Sequence, residues 1–220
     1  MKLLYRLSNL LFPPKCTLCR ELLNEAETDL CHRCRCEISE QPRTGIKLPY
    51  IADWTALWYY EGAVRNSLLR FKFHNARSYA QVYGRHLAMK LLSDQVEYDL
   101  LTWVPISPWR KWRRGYDQVA LIAEAVGKEL ETPPVPLLKK IRNNPPQSGF
   151  SNAARRRANV LGVYKVPDPA QIRNKRILLL DDIITTGATA GECARILLTA
   201  GAKEVHCAAV AVAHHQRNNQ

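Results

Sequence analysis

Two adjacent carboxylates, Asp181 and Asp182, are followed two residues later by Thr185-Thr186-Gly187-Ala188-Thr189. These residue types suit a phosphate and a sugar. Gly187 lets backbone approach closely, the three threonines offer hydroxyl donors, and a helix opening here adds unpaired N–H groups and partial positive charge. Carboxylates repel a phosphate, so Asp181 and Asp182 fit one step away. There they accept hydrogen bonds from sugar hydroxyls or help to hold a metal–diphosphate. The Gly-Lys-Ser/Thr ending of a Walker-type P-loop is absent.

A second constellation stands near the start of the chain. Cys16-x-x-Cys19 is followed after eleven residues by Cys31-x-x-Cys34. Each pair forms a turn that aims two thiolates at one point, and two turns complete the tetrahedron that Zn²⁺ prefers. With no open position, the site reads as structural. Cys36 lies close by and is a competing ligand, although Cys34 keeps the paired spacing. Cys193 and Cys207 sit in apolar surroundings and read as core.

The third group is cationic and aromatic. Arg110, Lys111, Arg113 and Arg114 interleave with Trp109 and Trp112 after an apolar strand. Four cations at a strand end can grip diphosphate, and arginine with tryptophan can stack on bases. A solvated basic turn is the plainer alternative. Residues 139–157, with Pro145-Pro146 and Arg155-Arg156-Arg157, are too polar and broken for core and read as a lid over an anionic ligand.

Strands alternating with helices must position these groups. Met1–Phe12 reads as a short amphipathic helix stopped by Pro13-Pro14, and residues 37–50 as a linker. Strands are expected at Trp54–Tyr60, Tyr98–Ile106, Pro133–Leu138, Val160–Val166, Ile177–Leu180 and Val205–Ala213, the last closing the sheet. The acids should stand where the fifth strand ends. Helices are expected after Gly62, over Tyr79–Leu92, over Val119–Glu131, and after Thr189, where Gly201 ends the last one. The pattern predicts an α/β fold, a mostly parallel sheet with helices on both faces. Division falls into residues 1–48, a zinc-binding module, and residues 49–220, the larger domain.

Of the net charge of +12 over 220 residues, +10 falls in residues 103–176, with 15 basic and 5 acidic residues. Such a field attracts polyphosphates or nucleic acid. No apolar run approaches the roughly 18–20 residues that span a bilayer. A cytoplasmic protein without membrane insertion, its thiols reduced, is expected. The terminal pair His214-His215 is more in keeping with a polar tail than with a metal site.

The Asp181–Thr189 loop resembles the phosphoribosyl-diphosphate (PRPP) loop of type I phosphoribosyltransferases. Together with the Cys16/Cys19/Cys31/Cys34 module, Val104-Pro105-Ile106 leading to Arg114-Gly115-Tyr116-Asp117-Gln118, and the Pro146-Gln147 and Arg157–Asn159 stretch, the chain resembles the ComF (GntX-like) family. Family members more often read Arg-Gly-Phe-Asn-Gln, so Asp117 brings a negative charge into a basic loop. The resemblance implies a small zinc-ribbon-like module before a type I phosphoribosyltransferase domain. It implies that Thr185, Thr186, Gly187, Ala188 and Thr189 hold the 5-phosphate and that Asp181 and Asp182, the catalytic candidates, hold the ribose hydroxyls. It further implies Mg²⁺ on PRPP, and a place in natural competence among proteins that handle imported single-stranded DNA. Arg110, Lys111, Arg113 and Arg114 are then candidates for diphosphate or DNA. Three readings stay open: a phosphoribosyltransferase with an unknown acceptor, a DNA-handling protein that binds PRPP as a regulator, and a structural adaptor acting through its zinc module.

Overall fold

The computed structural model describes residues 13–38, 47–142 and 162–213. The expected N-terminal helix, most of the expected lid and the terminal histidine pair lie outside these residues. A short helix α1 (His32–Glu37) belongs to the cysteine module. Then come β1 (Asp53–Tyr59), α2 (Gly62–Phe73), α3 (Tyr79–Ser93), β2 (Leu100–Trp103), α4 (Pro108–Arg114) and α5 (Gln118–Glu129). The chain continues through β3 (Lys139–Lys140), β4 (Tyr164–Lys165), a 3-10 turn (Pro169–Ile172), β5 (Arg176–Ile184), α6 (Ala188–Thr199) and β6 (Glu204–Val212).

Four strands form one parallel sheet in the order β1-β6-β5-β2, and β3 pairs with β4 in a small antiparallel hairpin. The expected α/β architecture is thus present, with differences of detail. The last strand, β6, does not close the sheet but lies between β1 and β5, and its run of Ala208 to Val212 is almost wholly buried. Such near-continuous apolar runs mark inner parallel strands covered on both faces. Residues 133–138 form no strand. Val135 donates to the Leu101 carbonyl, but Pro133, Pro134 and Pro136 lack the N–H groups a ladder needs. The strand expected over 98–106 is confined to Leu100–Trp103, ending just before Pro105.

Alternation along the strands separates two cores. Leu178, Leu180 and Ala208 pack with Leu68, Phe71, Tyr83 and Ile122 of α2, α3 and α5. Ile177, Leu179 and Cys207 pack with Cys193 and Leu197 of α6, Ile172 of the 3-10 turn and Tyr164 of the hairpin. Close approach of α3 and α5 depends on Gly84, where an added Cβ would stand 2.3 Å from Cβ of Ala125. Cys193 and Cys207 are core residues, as expected.

The cysteine module is part of the first core. Leu18, Leu30, Cys16, Cys31 and Cys34 are buried in the same cluster as Leu68 and Phe71. Ser67 donates to the Thr17 carbonyl at 2.6 Å, and Arg70 donates to the carbonyls of Thr17 and Leu18. Arg85 of α3 pairs with Asp29 at 2.7 Å.

Candidate functional site

The four thiols of Cys16, Cys19, Cys31 and Cys34 all lie within 4.8 Å of one another. Tetrahedral thiolates about 2.3 Å from a metal stand roughly 3.8 Å apart, and the Cys19 and Cys31 sulfurs are separated by 3.6 Å. The set therefore fits a closed metal site. Burial pushes the Cys19 and Cys34 thiols up. Burial acts the same way on Cys16, but backbone N–H groups of Cys19, Cys31 and Leu18 outweigh it and bring Cys16 down to about 7. Cys36 is exposed and lies 3.8 Å from the His32 ring, outside the cluster, so it does not compete as a ligand.

At the other candidate site, β5 does not stop before the acids. It continues to Ile184 beside β6, with Asp181 opposite Ala209 and Ile184 opposite Val212. Its other neighbour, β2, ends at Trp103 opposite Leu180. The acids therefore begin where one flank of the strand opens. They are buried all the same, at 8% and 6% exposure. Consecutive residues of a strand point to opposite faces, and the contacts of the two acids follow that rule.

Asp182 faces α2 and α5. Lys72 Nζ lies 2.9 Å from its Oδ2, and Gln118 Nε2 donates to the same oxygen at 3.1 Å. Arg114 is near enough that Asp182 opposes the lowering of its pKa by burial. Asp181 faces the hairpin and α6. The Asp182 N–H donates to its Oδ1 at 2.8 Å. Burial, and then the charge of Asp182, push its carboxyl up to about 8.

After β5 the chain turns through Thr185 and Thr186 into α6. Gly187 occupies the cap position with φ +69, in the left-handed region, and the first helical turn carries no acid. Thr185, Thr186, Ala188 and Thr189 are half-buried around this helix start. Its backbone conformation by itself favours glycine, and an added Cβ would also stand 2.4 Å from Cδ2 of Leu48. Leu48, expected in a linker, is 5% exposed and packs in the α6 core.

The basic stretch forms a helix, α4, not a turn. Ser107 caps it, accepting from the Arg110 N–H at 3.3 Å, Pro108 fills the first turn, and Gly115 ends it at φ +76. Those Ser-Pro and Gly signals were present in the sequence. Helical spacing separates the four cations. Arg110 and Arg114, four apart, are half-buried, with Arg114 within reach of the Asp182 charge, whereas Lys111 and Arg113 are exposed. Arg113 lies over the Trp109 ring at 5.5 Å and Arg114 over Phe73 at 5.2 Å. Trp109 is 52% exposed and Trp112 81% exposed.

Asp117 acquires a structural role. It caps α5, accepting from the N–H groups of Val119 and Ala120. Two residues near the acids carried no sequence signal: Lys72, inside an apolar helical run, and Lys140, inside the expected lid. Two shallow hollows, one lined by Leu91, Leu92 and Tyr98 and the other by Asp53, Asp94 and His206, lie at the amino ends of the strands, away from the acids. No described helix is long and apolar enough to cross a membrane.

Comparison with known proteins places this geometry. Residues 120–220 match the phosphoribosyl transferase domain. Competence protein ComFC of Streptococcus pneumoniae is 30% identical over 183 residues, 83% of this chain and 76% of that protein. This chain belongs to the ComF family. Competence protein F of Haemophilus influenzae is 26% identical over 215 residues, 87% of this chain and 93% of that protein. DNA utilization protein YhgH of Escherichia coli K12 is 26% identical over 181 residues, 80% of this chain and 74% of that protein. The ComF chain thus has a type I phosphoribosyltransferase-like fold with a four-cysteine cluster near its N-terminus.

Proposed function

We propose that this ComF chain binds PRPP with Mg²⁺ between β5, α6 and α4, in the service of handling single-stranded DNA in the cytoplasm during natural competence. The observation that carries this reading is the pair of buried acids, Asp181 and Asp182, leading into a glycine-capped helix start, with the half-buried Arg114 within reach of the Asp182 charge. The turn offers hydroxyls and a helix start to a terminal phosphate, and Asp181 accepts from ribose hydroxyls. Arg110 and Arg114 meet the diphosphate. Two buried carboxylates among threonine hydroxyls are hard oxygen donors of the kind Mg²⁺ accompanies. When bound, Mg²⁺ supplies charge neutralisation on the diphosphate. Zn²⁺ fills the four-cysteine cluster and holds residues 13–38 as a module on the larger domain.

Calorimetric titration with PRPP, with and without Mg²⁺, tests this site. Micromolar binding with Mg²⁺, weakened at least tenfold by Asp181→Ala, is expected at about 1.4 kcal/mol per decade. No binding under either condition removes the reading.

A specific observation favours the DNA side of the proposal. The outward side of α4 presents Trp109 and Trp112 beside Lys111 and Arg113. Exposed aromatics among cations form a stacking platform for single-stranded nucleic acid. Binding of an oligonucleotide that weakens steeply with salt, and weakens again with Trp112→Ala, supports it. Diphosphate release in the presence of candidate acceptors separates the alternative, a catalytically active phosphoribosyltransferase, from a PRPP-regulated binder.

A further inference from the structure

The last turn of α2 joins the cysteine cluster to the candidate ligand site. Its four consecutive residues, Arg70 to Phe73, each make a different connection. The Arg70 guanidinium donates to the carbonyls of Thr17 and Leu18, the two residues between Cys16 and Cys19. Ser67, one turn earlier, donates to the same Thr17 carbonyl. The Phe71 carbonyl accepts from the hydroxyl of Tyr116, two residues beyond Arg114. Lys72 pairs with Asp182 at 2.9 Å, and the Phe73 ring lies under the Arg114 guanidinium at 5.2 Å.

The Cys16–Cys19 turn is fixed from both sides. The N–H groups of Leu18 and Cys19 point at the Cys16 sulfur. Both peptide bonds are trans, so the carbonyls of the same two peptide units point the opposite way. There they meet Ser67 and Arg70. The position of the sulfur and the position of α2 are therefore set by the same two rigid planes. Metal binding and folding are one process in small modules of this kind. Without metal the turn loses its centre, Arg70 loses two fixed acceptors, and Leu18 loosens from the cluster it shares with Phe71. The last four carbonyls of a helix have no partner within it, so the disturbance falls on the turn that carries Lys72 and Phe73. Through Lys72 it reaches Asp182, whose N–H holds the Asp181 carboxylate, and through Phe73 it reaches Arg114.

We propose that the last turn of α2 couples the two sites, so that metal in the cysteine cluster raises the affinity for a phosphorylated sugar ligand and the ligand in turn tightens the metal. This assigns a regulation to the PRPP site and rests on that reading for the identity of the ligand. Arg70 is the positioning residue of the coupling. Reciprocity is required, because a coupling is one free energy seen from two sites.

The experiment loads the full chain with Co²⁺, whose thiolate absorption reports the occupied cluster, and withdraws it with a chelator that ignores Mg²⁺. The withdrawal is run with and without saturating Mg²⁺–PRPP, in wild type and in Arg70→Gln. Glutamine stays polar but is too short to span both carbonyls. In wild type, Mg²⁺–PRPP is expected to raise the chelator concentration for half removal about fivefold or more, the low end of coupling between sites. In Arg70→Gln, with the four-thiolate absorption intact, the shift should fall below about twofold. No shift in wild type that calorimetry shows to bind PRPP, or an equal shift in Arg70→Gln, overturns the coupling and leaves the PRPP site standing. A wild type that binds no PRPP overturns the PRPP reading. The α2 route is then decided by hydrogen exchange, as it is if Arg70→Gln fails to fold. Metal removal should speed exchange at residues 71–74 and 113–115 while β6 stays protected. No change at those amides, or loss of protection throughout the chain, overturns the route.

Discussion

On the face of the sheet covered by α2, α3 and α5, Asp182 is held by Lys72 and Gln118. On the α6 face, one residue earlier, Asp181 receives the Asp182 N–H, and among the described residues no ion pair reaches it. The two acids are neighbours in sequence and nearly equal in burial, yet strand geometry gives them opposite surroundings. Asp182 is tied into the fold. Asp181 is left for a ligand. The same contrast holds for the faces as a whole. Both carry an apolar cluster, but the first adds the cysteine module, whereas the second ends in a glycine-capped helix, a threonine turn and a buried lysine.

The contrast is broken most severely by removing what builds the first face. With Zn²⁺ as the proposed metal, chelation or Cys34→Ser withdraws the centre that fixes Leu18 and Leu30 against Leu68 and Phe71. A loss on the order of 5 kcal/mol or more in stability is expected, because metal binding to such modules is folding free energy. Thermal unfolding paired with metal analysis checks this. A melting curve indifferent to chelator, in protein shown to have lost its zinc, means that packing alone builds the face.

Next in size is the Lys72–Asp182 pair. Both groups are largely buried, with side-chain exposures of 17% and 9%. Lys72→Met leaves a buried carboxylate without its cation, a change that costs about 3 kcal/mol or more. The double variant with Asp182→Asn should recover much of that loss, because the uncompensated charge is then gone. Urea unfolding measures both. A loss below about 1 kcal/mol in Lys72→Met would show that Asp182 is not tied to the fold by this pair.

How much of this was legible in the sequence depended on whether the signal was local. The threonine turn, the four cysteines and the β5–α6–β6 unit were readable because spacing alone specifies them. Even so, the acids were expected at the end of the strand, since nothing local says that β6 runs on beside β5 when β2 stops. The four cations of α4 read as one group. Only helical geometry, signalled by Ser107-Pro108 and Gly115, separates Arg110 and Arg114 from Lys111 and Arg113. Lys72 was invisible as a site residue because its partner, Asp182, is 110 positions away. The crowding of Gly187 by Leu48 needed the fold in view.

The last effect has the opposite sign and concerns Asp181. Its pKa in the folded chain is raised to about 8 by burial, from an unfolded value near 3.8. Between those values the folded state holds a proton that the unfolded state has lost, so stability falls as pH rises through this window. Below it both states are protonated and the term vanishes. Above it both are ionised and the fold bears the cost of a buried charge that, among the described residues, no ion pair neutralises. Asparagine has the same shape and never ionises. Asp181→Asn should therefore come close to wild type near pH 4 and gain on it steadily toward pH 8, while losing affinity for PRPP. Stability gained where binding is lost is the mark of a group kept for function. Denaturant unfolding of both proteins between pH 4 and pH 8.5 makes the comparison. A variant less stable than wild type at every pH would make Asp181 a structural acid like Asp182, and the difference between the two faces would then lie in their packing and not in the site.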